Sequence, residues 1–105
     1  MTDSSGKLPG EELVSQGLAD LAQNRKTDCA WLVLVASPRL IRLGISVPIP
    51  DWPRPYEHQL YDLLEQRLGD DAHSHYNSLL RRIASYAQAL EREQTRTSHA
   101  ADKNR

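Results

Sequence analysis

Apolar residues return at helical spacing in three stretches of the chain and at other spacings between them. After Pro9 and Gly10, the stretch EELVSQGLADLAQNRK carries Leu13, Val14, Leu18, Leu21 and Ala22 on one face. Acids Glu11 and Glu12 come first and bases Arg25 and Lys26 last, as the helix dipole favours, so an amphipathic helix is predicted. Gly17 weakens it by about 1 kcal/mol relative to Ala, which is tolerable if the face packs. Further on, YEHQLYDLLEQRL places Tyr56, Leu60, Leu63, Leu64 and Leu68 on one stripe, begins after Pro55 and stops at Gly69. A last helix, capped by Asp70 or Asp71 and running to about Arg92, shows Tyr76, Leu79, Leu80, Ile83, Ala87 and Leu90 on its face. These two helices, about two residues apart, form an antiparallel hairpin.

The middle of the chain reads two ways. Ala30 to Ala36 is wholly apolar and rich in Trp31, Val33 and Val35, while Ile41, Leu43, Ile45 and Val47 alternate with Arg42, Gly44 and Ser46. A period of two with Ser37-Pro38 between the runs predicts a β-hairpin. The rival reading caps a helix with Thr27 or Asp28, starts a second short one at Ser37-Pro38 and ends it at Gly44. Pro48, Pro50, Pro53 and Pro55 then impose an extended, polyproline-like crossing. The expected fold is α+β: an N-terminal helix, a β-hairpin, a Pro-rich crossing and a C-terminal antiparallel helical hairpin. The alternative is an all-α four-helix bundle. Residues 9–92 form one globular domain in this reading, between polar tails over 1–8 and 93–105. The last helix is long enough for its end to project and pair with another chain.

Length and composition narrow the class. The 105 residues suit one domain, and a core of that size gains from oligomerisation. A single cysteine, Cys29, excludes an internal disulfide and fits a reducing, cytoplasmic setting. The polar, acidic start MTDSSGKLPGEE does not read as a signal peptide, and the longest apolar run is too short to span a bilayer. A formal charge of −1 removes any global basic field. That balance hides blocks: three bases against five acids in 1–28, three against one in 29–54, one against five in 55–71, and six against three in 72–105.

Candidate chemistry is sparse. His73 and His75 point apart on a helix, so only Asp71 with His75 could share a metal, and no metal or cofactor is expected. Cys29 has no positioned base, no Gly-rich phosphate loop or nucleophile elbow appears, and no catalytic residue is assigned. The segment PDWPRPY is the distinctive feature: stiff, poor in donors, with Trp52 and Tyr56 flanking Arg54. Trp, Tyr and Arg are the residues that most often anchor interfaces, and a rigid segment loses little entropy on binding. The bland reading makes Trp52 a lid folded back over the core. Arg81 and Arg82, expected to face the acidic 55–71 block, complete the candidate partner-binding set of Trp52, Arg54, Tyr56, Arg81 and Arg82.

The sequence therefore points to a small non-catalytic protein–protein interaction or regulatory module that acts as a homodimer, with a protein partner and no membrane. One alternative is a nucleic-acid-binding regulator using a local patch of Arg39, Arg42, Arg54, Arg81 and Arg82, although the overall charge weighs against nucleic acid. A second is a small enzyme or metal-binding protein using His58, His73, His75 and neighbouring acids.

Overall fold

The computed structural model describes residues 8–103, with side chains as far as Thr95, and among these residues every regular element is a helix. The order is α1 (Glu11–Ala22), α2 (Asp28–Val35), α3 (Ser37–Arg42), α4 (Tyr56–Leu68), a 3-10 turn over Gly69–Asp71, and α5 (Ala72–Lys103). The α+β expectation is overturned: residues 29–47 contain no strand, and the all-α alternative is the one the chain adopts.

Local chemistry explains why the helix wins there. Thr27 holds an extended backbone and its hydroxyl accepts from the Ala30 amide at 3.2 Å, an N-cap of the usual kind. Pro38 sits in the first turn of α3, where its missing N–H leaves no bond unmade. At the far end Gly44 has φ +92°, its amide donates to the Ile41 carbonyl, and the Ile45 amide donates to Leu40, each at 3.0 Å. That pair of bonds is a Schellman stop. A lone two-stranded hairpin would have left two edges unpaired, whereas the helices satisfy their own backbone.

The alternation over 41–47 has a different cause. Beyond Gly44 the chain runs without helix or strand to Pro55. Leu43, Ile45 and Val47 are partly buried, while Gly44, Ser46 and Pro48 are exposed. An extended segment lying on a helical core buries every second side chain just as a strand does, without needing a partner strand. Ile41, at the end of α3, and Ile49 are the large apolar residues left most exposed.

α2 is the centre of the molecule and packs against α1, α4 and α5. Ala30, Trp31, Leu32, Val33 and Leu34 are all buried, so its apolar character extends around the helix, as a fully enclosed helix requires. Gly17 of α1 is what lets α2 come so near. A Cβ built there would lie 2.4 Å from the Cys29 carbonyl oxygen and 2.4 Å from a Val33 methyl. The corner between these helices is closed by a polar relay. Buried Asp20 accepts from Thr27 Oγ1 at 2.5 Å and from Gln16 Nε2 at 2.9 Å, and the same Thr27 oxygen caps α2.

α4 and α5 form the predicted helical hairpin, with Tyr61 meeting Tyr76 edge-on at 5.3 Å between ring centroids. The α5 stripe is engaged within the chain: Leu79, Ile83 and Tyr86 belong to the core, with Tyr76, Leu80 and Leu90 packed on it. α5 continues to Lys103, through most of the stretch expected to be a polar tail, while Met1 to Lys7 and Asn104 to Arg105 lie outside the described residues. Glu91 pairs with Arg39, and the Gln94 amide donates to the Leu43 carbonyl, which fastens α3 to α5.

Candidate functional site

The Pro-rich crossing brings Trp52, Arg54 and Tyr56 to one side of the core, around Trp31. Trp52 is only 7% exposed, and its ring lies 4.9 Å from that of Trp31, tilted by 57°. Its indole N–H donates to Asn24 Oδ1 at 3.0 Å, and the Lys26 ammonium stands 5.6 Å from its ring centroid. Trp52 is thus the lid over the core.

Asn24 is in place because of how α1 ends. It has φ +60°, its amide donates to Leu21, and the Arg25 amide donates to Asp20. This is a second Schellman stop, with asparagine in the left-handed position that glycine usually fills. Sequence reasoning missed Asn24 and read α1 as running on towards Lys26; the available signal was an asparagine just after the last apolar residue of the stripe.

Tyr56 opens α4, with its ring 6.2 Å from Trp31 on one side and the Arg54 guanidinium 5.4 Å from its centroid on the other. The Arg54–Pro55 peptide is cis. Tyr56, Arg54, Pro55 and Glu57 line one wall of a groove of about 480 Å³, and Leu34, Val35, Ser37 and Pro38 from the α2–α3 corner line the other. The Ser37 hydroxyl is already committed to the Leu34 carbonyl at 2.8 Å. The Tyr56 hydroxyl oxygen is shielded from solvent and has no hydrogen-bond partner among the described residues. A buried hydroxyl without a partner costs about 1–3 kcal/mol, so it calls for an explanation.

The remaining candidate residues lie elsewhere. Arg81 and Arg82 are exposed on α5, and Arg82 pairs with Glu12 of α1 at 2.5 Å. Its acidic neighbour is therefore α1, not the 55–71 block; from that block, Arg67 pairs with Asp28 of α2. Arg39 is held by Glu91. The ion pairs of Arg39 and Arg82 thus join α5 to two different helices, α3 and α1.

His58, His73 and His75 are all exposed. His73 contacts Asn77 and the edge of Tyr61, whereas His75 lines a shallow depression with Asp71, Ser74 and Ser78. Among the described residues no three of His, Cys, Asp and Glu gather where they could hold a metal ion. Burial pushes the Cys29 thiol up, and the Asp28 and Asp20 carboxylates push it further, which keeps it in the unreactive protonated form at neutral pH. Among the described residues no helix is long and apolar enough to cross a membrane.

No family model, curated protein or solved structure matches this chain.

Proposed function

We propose that this protein is a non-catalytic module that recognises a protein partner in the groove between the α2–α3 corner and the start of α4. The observation that carries the reading is the groove itself, walled by Leu34, Val35, Pro38 and Pro55, with the exposed Arg54 against the Tyr56 ring on its edge. Apolar walls with a few oriented polar groups are how binding sites combine affinity with selectivity, and a volume of about 480 Å³ falls in the usual ligand range. Aromatic and Arg anchors in such a setting are the common hot-spot composition. The apolar stripe of α5 packs inside the protomer, and the reading rests on the groove rather than on the projecting end of α5, which the sequence offers for self-association. A cytoplasmic setting accords with the lone Cys29.

Tyr56→Phe and Arg54→Ala separate the wall of the groove from its binding surface. Removing a buried hydroxyl that lacks a partner raises folding stability by about 1 kcal/mol. Arg54→Ala, at an exposed lining residue of the groove, weakens capture of partner protein from native lysate, compared side by side with the unaltered chain. Capture that Arg54→Ala leaves unchanged overturns the reading.

A further inference from the structure

We infer that residues 48–55, PIPDWPRP, form a latch with Trp52 as its catch: seated, it covers the Trp31 face of α2, and released, it opens that face into the groove while the helices stay folded. Among the described residues no backbone–backbone hydrogen bond involves positions 46–54. Pro48, Pro50, Pro53 and Pro55 have no N–H to donate. Within the latch Trp52 alone is buried; Pro50 is partly so, and the remaining residues are exposed. A segment with few buried contacts and no backbone ladder opens at a lower free energy than the core it covers.

The catch consists of the Trp52 ring on Trp31, the indole bond to Asn24 and the Lys26 ammonium near the ring. Releasing it breaks no helix. Four fixed φ angles make the segment stiff, so it leaves as one piece rather than residue by residue.

Release reaches the groove because the two places share a helix face and a wall. Trp31, Leu34 and Val35 are three and four positions apart on α2 and lie on one side of it. Leu34 and Val35 line the groove, and Trp31 lies against Trp52. Arg54 and Pro55, on the opposite wall, are the last two latch residues. When Trp52 leaves, part of that wall leaves with it, and the groove and the Trp31 ring become one apolar strip.

The latch is a property of the chain by itself, so its test needs no partner and is separate from the capture comparison. Hydrogen exchange of the Trp52 indole N–H is followed by NMR on the unaltered chain, at urea concentrations below the unfolding transition. Its protection should be at least tenfold lower than that of the Leu32–Leu34 amides and nearly independent of urea, because a local opening exposes little surface, while theirs falls steeply. Pro53→Gly, at an exposed position, adds freedom to the released latch and not to the seated one, and should lower Trp52 protection about threefold. The chain has two tryptophans, so Trp52→Ala leaves Trp31 as the sole emitter. With the helical circular dichroism retained, its emission should move to longer wavelength and acrylamide should quench it several-fold more strongly. The inference is overturned by Trp52 protection that matches the Leu32–Leu34 amides and falls with urea as theirs does, or by protection that Pro53→Gly leaves unchanged. It is equally overturned if Trp31 stays shielded in folded Trp52→Ala, or if that variant loses its helical signal, since the helices would then depend on the catch.

Discussion

The corner between α1 and α2 and the crossing over residues 43–55 close the same core in opposite ways. At the corner two helices meet almost backbone to backbone at Gly17, and the polar relay from Gln16 through Asp20 and Thr27 to Ala30 ties their ends together. The hold is spread over many groups, each replaceable in part. The crossing has no regular backbone pairing, and although Ile45 and Val47 lie partly against the core, Trp52 is its one buried large residue. Order in an irregular segment therefore rests mainly on a single side chain. Trp52→Ala should cost about 3–5 kcal/mol, the range for truncating a buried tryptophan. It should also raise protease cleavage within 43–55 before the rest of the chain is cut. Urea denaturation and limited proteolysis check both, and a cost below about 1 kcal/mol with the crossing still protected would break the comparison.

The corner responds to the opposite kind of change, an added atom. Gly17→Ala gains about 1 kcal/mol of helix propensity. Its Cβ, however, meets the Cys29 carbonyl and Val33 at 2.4 Å, and that carbonyl belongs to rigid backbone. Overpacking of this sort costs about 1–3 kcal/mol and in a backbone contact lies at the upper end, so net destabilisation is expected. Ser15→Ala, on the exposed face of the same helix, should instead be stabilising by a few tenths of a kcal/mol. Denaturation midpoints that rise for both variants would show that α1 and α2 are not held together at Gly17.

The same contrast explains what the sequence disclosed. The α1 stripe, the α4–α5 hairpin and the Gly69 stop were legible because an amphipathic helix writes its own period. The 29–47 stretch misled because α2 is buried all round and so has no period, and because Leu43, Ile45 and Val47 alternate while lying on a helical core. Thr27, Pro38 and Gly44 carried the correct answer, in caps rather than in hydrophobicity. In the candidate site, Trp52, Arg54 and Tyr56 were legible because they are near neighbours in a stiff segment. The opposite wall, Val35 and Pro38, comes from a corner some twenty residues earlier and was set by tertiary packing alone.

Asn24 belongs to both regions, since its backbone ends α1 and its side chain holds Trp52, and it separates their contributions at the smallest scale. Asn24→Gly keeps the left-handed stop, which glycine fills at least as well, and removes only the indole hydrogen bond. A single bond of this type contributes about 1 kcal/mol. Asn24→Ala loses the bond and also forces a Cβ-bearing residue with no local side-chain hydrogen bond into φ +60°, so it should cost about 1–2 kcal/mol more than the glycine variant. Tryptophan emission should move to longer wavelength in both variants if the bond holds the lid, because Trp52 then samples water. If the glycine variant matches the unaltered chain in both stability and emission, Trp52 is held by its packing on Trp31 and beneath Lys26, and the crossing is anchored without the Asn24 hydrogen bond.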